Sequence, residues 1–484
     1  MLADQPTELA DVLAHAPVDD LPRSEPPAPM ADWLRWCQTP GVSVAVIEHG
    51  QVTDNWCAGV TSLAPGGDSA DPVTPRTLFQ AGSVSKPVAA ACALRLVAEG
   101  VLALDDDVNE SLRSWRVPAV GGWQPRVTVR QLLSHTAGTT VHGFAGYPAG
   151  GQVPTLVDVL EGRGNSLPVR VTSVPGLQFS YSGGGYCVLQ QLLLDVTGLD
   201  FPALADELVL RPAGMRDSTY AQPLPEWRAV DAATGHLPGP SVVPGRWHTY
   251  PEMAAAGLWS TPTDLARFFC AIAASRTGAP RTLLPPHLAE QMTTSMAGNV
   301  AYGLGLRLPD DGEPPSIGHG GTDEGYRTFA VLHDTGQGVV VMANSEMGDT
   351  LIEQAVLPAL ARHRTLPAAP AETARPADDA MPADEAAPAA LAGRYRWERG
   401  ELEVRALGDG LALVVDGQRP FPLRRRGDGS WRSPGLQVDV HFRSGAETAA
   451  DPTLVLRQHA QYTVDIEARR VAAARATATP GLGR

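Results

Sequence analysis

Between residues 366 and 390 the chain is built almost wholly from Ala, Pro, Asp and Glu. Such a stretch carries too few large apolar groups to offset the entropy of folding, so it must act as a linker. It splits a 484-residue chain, already long for one ordinary core, into two parts that fold separately. The sequence thus divides into a polar, Pro-rich arm at 1–38, a large domain at 39–365, the linker at 366–390, a small β domain at 391–472 and a disordered tail at 473–484.

Periodicity sets the architecture of the large domain. After a short helix near Met30 to Cys37, segments at Val42–Ile47 and Gln51–Val60 flank Glu48-His49-Gly50, the pattern of a β-hairpin. A second hairpin is written at the far end, where Arg327–His333 and Gly338–Asn344 flank Asp334-Thr335-Gly336. Between the hairpins the period is helical. Ser83–Glu99 repeats apolar residues at helical spacing up to Gly100 and is apolar nearly all round, which marks a buried central helix. Further helices are expected from Val127 into Leu133, over Cys187–Val196 ahead of Gly198, over Ser260–Ala274 with Thr261 as N-cap, and over Thr350–Arg362. Strands at both ends with helices between them predict an α+β fold: the terminal strands join one antiparallel sheet, and a helical cluster is inserted. The Gly- and Pro-rich loop at 139–154 is long enough to wall a site.

In 391–472 short strands at Leu402–Arg405, Leu411–Val415, Leu436–Val440 and Leu454–Leu456 alternate with Gly/Asp turns. This reads as a small antiparallel β domain, with Arg424-Arg425-Arg426 as a solvated turn. The net charge of −15 weighs against a nucleic-acid or anionic-membrane partner. Cys37, Cys57, Cys92, Cys187 and Cys270 are scattered, with no Cys-x-x-Cys, and read as reduced core residues; neither a metal nor a cofactor is expected. Met1–Asp20 has no basic residue and no apolar run, so a secretory signal is not expected and a cytoplasmic location is.

One residue points to chemistry. Lys86 is the only lysine in the chain, while Lys and Arg together number 38. Arginine serves wherever a solvated positive charge is enough. It fails where the group must give up a proton, because guanidinium stays protonated in proteins. Lys86 sits three residues after Ser83, and on a helix that spacing puts both side chains on one face. A serine nucleophile with an amine beside it has that arrangement.

Two more segments join it: Tyr181-Ser182-Gly183 and His319-Gly320-Gly321. With Ser83-Val84-Ser85-Lys86, their order and spacing resemble the serine β-lactamase and penicillin-binding-protein superfamily, nearest its branch of class C β-lactamases, D-aminopeptidases and family VIII carboxylesterases. The resemblance covers about residues 35–365, including Leu132–Gly138 and Ala256–Pro262. The β domain is similar in pattern and position to the lipocalin-like C-terminal domains of some members. The resemblance implies that Ser83 is the nucleophile of an acyl-enzyme and that Lys86 or Tyr181 takes its proton, a choice left open in a coupled pair. It also implies an oxyanion hole from the backbone N–H groups of Ser83 and Thr322, with Gly320 and Gly321 leaving room for substrate.

Two positions depart from the family pattern. Gly183 stands where an asparagine usually meets the substrate amide, and His319 where β-lactamases carry a lysine for a substrate carboxylate. Both move the expected substrate from β-lactams toward esters, amides or short peptides, D-residue peptides included. His135, which closes a helix, is expected to be a structural cap. No Gly-x-Ser-x-Gly and no His-Glu-x-x-His occurs, against an α/β-hydrolase or a zincin. The expected partner is a small-molecule or peptide acyl substrate. Acyl transfer is the alternative, since relatives with this two-domain layout include penicillin-binding-protein-type thioesterases that cyclise peptides. A non-catalytic binding module would have no use for a deprotonatable amine beside Ser83.

Overall fold

The computed structural model describes residues 30–63, 71–238, 241–296, 301–310, 313–362 and, apart from short stretches between strands, 388–471. The expected arm before Met30, most of the expected linker and the expected tail lie outside these residues. The chain divides into two compact units. Two segments inside the expected large domain, Val117–Arg126 and Arg170–Ser180, group with the second unit.

The first unit is built on five strands: β1 (Gly41–Glu48), β2 (Gln51–Gly59), β3 (Ser316–Asp323), β4 (Tyr326–His333) and β5 (Gly338–Ala343). Their order is β2-β1-β5-β4-β3, and every neighbouring pair is antiparallel. The two hairpins read from the sequence therefore meet at the β1–β5 pairing, and β3, which carries the third motif, adds at one edge. β5 is buried along its whole length, and β1 up to Ile47, which explains their apolar character, broken only by Ser43.

The helices that matter for the site are α1 (Met30–Trp36), α2 (Ser85–Ala98), α3 (Val129–Leu133), α4 (Gly183–Thr197), α5 (Met253–Ala256) and α6 (Pro262–Arg276), followed by α7 (Gly348–Leu351) and α8 (Leu357–Arg362) around a π turn at Ile352–Val356. Met30 and Trp33 of α1 pack with Val42, Val44, Val339, Val341, Leu351 and Leu360 in one core. α6 also packs on β1 and β5. As the sequence requires, Thr261 caps α6, accepting the Asp264 N–H, and Pro262 opens it. α2 is buried at eleven of its fourteen positions, the central helix that its composition demanded. No single helix among the described residues is long and apolar enough to cross a membrane.

Two helix starts differ from expectation. The regular turns of α2 begin at Ser85, after a 3₁₀ turn over Gly82–Val84. α4 begins at Gly183, four residues before the expected Cys187. Glycine disfavours a helix, so Gly183–Gly185 does not read as one. Its N–H groups are instead satisfied from elsewhere: Ser182 Oγ accepts from Gly185, and the His142 and Val141 carbonyls accept from Gly183 and Gly184.

The second unit contains a closed, antiparallel barrel of eight strands: β6 (Gly393–Trp397), β7 (Gly400–Leu407), β8 (Gly410–Val415), β9 (Phe421–Arg425), β10 (Trp431–Arg432), β11 (Val438–Arg443), β12 (Thr453–His459) and β13 (Thr463–Arg470). β6 pairs with β13 to close it. Leu402, Val404, Leu411, Leu413, Val440, Leu454 and Leu456 are buried. Arg424 and Arg425 are not in a turn: they end β9, opposite Arg432 and Trp431. Pro388–Leu391, across the end of the expected linker, is a short helix whose Leu391 carbonyl accepts the Tyr395 hydroxyl at 2.7 Å.

Candidate active site

The site forms where the turn before α2 meets strand β3. Gly82 has φ +54°, and a Cβ there would lie 2.5 Å from the Thr322 nitrogen. A Cβ on Gly321 would lie 2.1 Å from the Ala81 carbonyl oxygen. Only glycine at both positions lets turn and strand touch backbone to backbone. The Thr322 amide thus lies against the turn that carries half-exposed Ser83. The Ser85 hydroxyl anchors that turn by donating to the Gly82 carbonyl at 2.6 Å and accepting the Leu258 N–H at 3.0 Å. The buried Asp323 carboxyl accepts the Gly82 N–H, and burial holds it well above the usual carboxylate range.

Lys86 is 2% exposed. Its Nζ donates to Ser83 Oγ at 2.9 Å and to the Ala255 carbonyl, on α5, at 2.8 Å. The amine lies 4.9 Å from the centre of the Tyr181 ring, so the first two motifs meet at a hydrogen bond and an aromatic face. Such an amine, when neutral, can accept the serine proton as Oγ attacks.

Ser182 holds Tyr181 in place: its hydroxyl donates to the Thr140 carbonyl at 2.7 Å and its N–H donates to His135 Nδ1 at 3.1 Å. His135 is the structural cap expected, with the Thr136 N–H on the Gln131 carbonyl at 2.9 Å and the His135 N–H on the Leu132 carbonyl at 3.4 Å, but its ring does more. Ser134 closes α3, and His135 follows in the left-handed region at φ +56° with its ring buried, 4.2 Å from the Tyr181 ring centre. Its Nε2 lies 3.2 Å from the Tyr302 hydroxyl.

His319 is buried, with Nε2 3.0 Å from the Tyr302 hydroxyl and Nδ1 2.5 Å from the Gly320 carbonyl. Burial first, and then the Lys86 charge, push its pKa down to about 3. The position where β-lactamases carry a cation therefore holds a neutral ring engaged within the protein.

The three glycines expected beside substrate differ. A Cβ on Gly320 would find nothing closer than the Thr328 carbonyl at 4.0 Å, so this residue is open. Gly321 makes room for the Ala81 carbonyl, not for substrate. Gly183 is buried, and a Cβ there would lie 2.9 Å from Phe144 Cε2 and 3.1 Å from the His142 carbonyl. The loop at 139–146 fills the room an asparagine would need. Gly183→Asn will therefore lower stability by about 1–3 kcal/mol through overpacking, measured by urea denaturation. An unchanged midpoint would mean that the loop does not press on residue 183.

Sequence reasoning missed Tyr302, the Ala255 carbonyl and Asp323. Tyr302 lies in no motif the chain announces, and a backbone carbonyl has no sequence signature. Asp323 follows Thr322 directly, and an acidic residue next to the expected oxyanion donor was a usable signal. Among the described residues, no group of three or more His, Cys, Asp and Glu side chains is placed to hold a metal ion.

Residues 31–363 match a family described as Beta-lactamase. The chain is 29% identical over 287 residues to esterase EstB of Burkholderia gladioli, covering 52% of this chain and 70% of that one. It is 28% identical over 297 residues to a D-aminopeptidase of Brucella anthropi, covering 60% of this chain and 52% of the relative, so it spans only about half of that protein. Among solved structures it is similar to SurE, with a TM-score of 0.56 at 26% identity over 91% of this chain and 97% of that one. The match runs through all three motifs, and the chain belongs to the Beta-lactamase family, as a serine hydrolase.

Proposed function

We propose that the protein hydrolyses esters, amides or short peptides, D-residue peptides among them, through an acyl-enzyme on Ser83. The observation that carries this is the 2.9 Å hydrogen bond between Lys86 Nζ and Ser83 Oγ in a buried setting. Ser83 Oγ bonds to the substrate carbonyl carbon while its proton passes to the Lys86 lone pair. The oxyanion rests on the Ser83 and Thr322 N–H groups. Collapse expels the alcohol or amine, which takes a proton returned by Lys86, directly or through Tyr181. Water then attacks the acyl-enzyme by the same route in reverse. Lys86 is the better supported of the two proton acceptors, because its contact with Ser83 is a hydrogen bond while its contact with Tyr181 is to the ring face.

The neutral His319 and the filled space at Gly183 support acyl groups without a carboxylate beside the scissile bond. An esterase and a D-aminopeptidase among the relatives support the same substrate classes. We read the barrel as lipocalin-like from its eight strands in up-and-down order. Intact-mass spectrometry with an activated acyl ester tests the reading. A transient adduct on wild type, absent from Ser83→Ala, is expected; equal labelling of both would sink it. Partition of the adduct to an added amine in preference to water would favour acyl transfer.

A further inference from the structure

We propose that Tyr302 is a positioning residue: it locks His319 in one tautomer and so fixes the Gly320 carbonyl and the strand that carries the Thr322 amide. The kinetic consequence rests on the reading of Ser83 and Thr322 given above; the geometry does not.

Four hydrogen bonds run in line. The Ser182 N–H meets His135 Nδ1 at 3.1 Å, His135 Nε2 meets the Tyr302 hydroxyl at 3.2 Å, that hydroxyl meets His319 Nε2 at 3.0 Å, and His319 Nδ1 meets the Gly320 carbonyl at 2.5 Å. The two ends settle every proton between them. A backbone N–H only donates, so His135 Nδ1 is bare and the neutral ring carries its proton on Nε2. A carbonyl only accepts, so His319 carries its proton on Nδ1 and its Nε2 is bare. Tyr302 must then accept from His135 and donate to His319. The Tyr186 hydroxyl also reaches Tyr302, but donates its own proton to the Leu133 carbonyl at 3.1 Å. Of the two acceptors open to the Tyr302 proton, the bare imidazole nitrogen is far more basic than the Tyr186 phenol oxygen, so the proton goes to His319 Nε2 across 3.0 Å.

The groups that face the His319 ring are Tyr302, the Lys86 amine and the Tyr181 ring, with Arg307 and His135 adding charge effects. Burial and Lys86 hold both imidazoles neutral, so neither takes a second proton that would break the line. The line has one sense, from the residue after Tyr181 to the carbonyl two residues before Thr322. It ties the second motif to the third without touching substrate.

Long-range proton–nitrogen NMR on histidine-labelled wild type tests the assignment without any activity measurement. His319 should be the Nδ1–H tautomer and His135 the Nε2–H tautomer, each identified by the signal lost in its Gln variant. In Tyr302→Phe the bare Nε2 of His319 loses its donor, so the ring should titrate at higher pH. The kcat for an activated ester should then fall about 10- to 100-fold, with KM within about threefold, as when an outer-shell partner of a working histidine is removed. A further acid-side titration, from His319, should also enter the pH profile beside the one that protonation of Lys86 gives the wild type. An Nε2–H tautomer for His319 in the wild type overturns the proposal. So does a Tyr302→Phe enzyme with unchanged kcat and pH profile. Ser83→Ala separately tests the nucleophile: if activity needs Ser83 but the tautomers are reversed, only the role of Tyr302 is lost.

Discussion

Lys86→Arg will cost about 10³- to 10⁴-fold in turnover of an activated ester, close to the loss for Ser83→Ala, although it keeps the positive charge. The size follows from what the site asks of the residue. The side chain is buried, bonded to Ser83 Oγ on one side and to the Ala255 carbonyl on the other. An arginine could still donate to both oxygens and still sit over Tyr181. It could not accept the serine proton, because guanidinium does not lose one at any working pH. Single-turnover acylation kinetics is the right measurement, since it isolates the step in which that proton moves. If Lys86→Arg acylates within tenfold of wild type, charge alone is what matters, and Tyr181 becomes the proton acceptor by elimination.

Gly321→Ala will lower kcat by about 10²- to 10³-fold, the cost of losing one oxyanion donor. Its Cβ would lie 2.1 Å from the Ala81 carbonyl oxygen, and both partners are backbone, so no side chain can swing away. The strand and the nucleophile turn must part, and the Thr322 amide leaves its station beside Ser83. Circular dichroism would establish that the variant stays folded, and stopped-flow acylation would read the loss. Wild-type acylation in a folded Gly321→Ala would mean that the Thr322 amide does not serve the reaction.

Much of this was legible in the sequence, and particular residues show where legibility ends. The hairpins were readable because period-two patterns and Asp334-Thr335-Gly336 are local signals, and their meeting in one sheet followed from the topology. Ser83 and Lys86 were readable because the chain has one lysine to place. The start of α4 was not, because three glycines form a helix only where carbonyls from the loop at 139–146 and the Ser182 cap receive their N–H groups. β9 and β10 were hidden by brevity and by Pro422, which a strand pattern does not favour. The cap at His135 was legible, but the second duty of its ring was not, because that is owed to Ser182 and Tyr302, both far along the chain. Gly321 was read as room for substrate, but the room is taken by a carbonyl that sequence distance conceals.

Strand β3 carries a consequence for how this enzyme can diversify. Gly318 and Gly321 are each held by a backbone oxygen, at 2.4 Å and 2.1 Å from where a side chain would begin, whereas Gly320 is exposed and unhindered. The positions packed against backbone are therefore closed to variation, and residue 320 between them is free to change. A lineage can explore new side chains at residue 320 while inheriting the packed turn and strand unaltered.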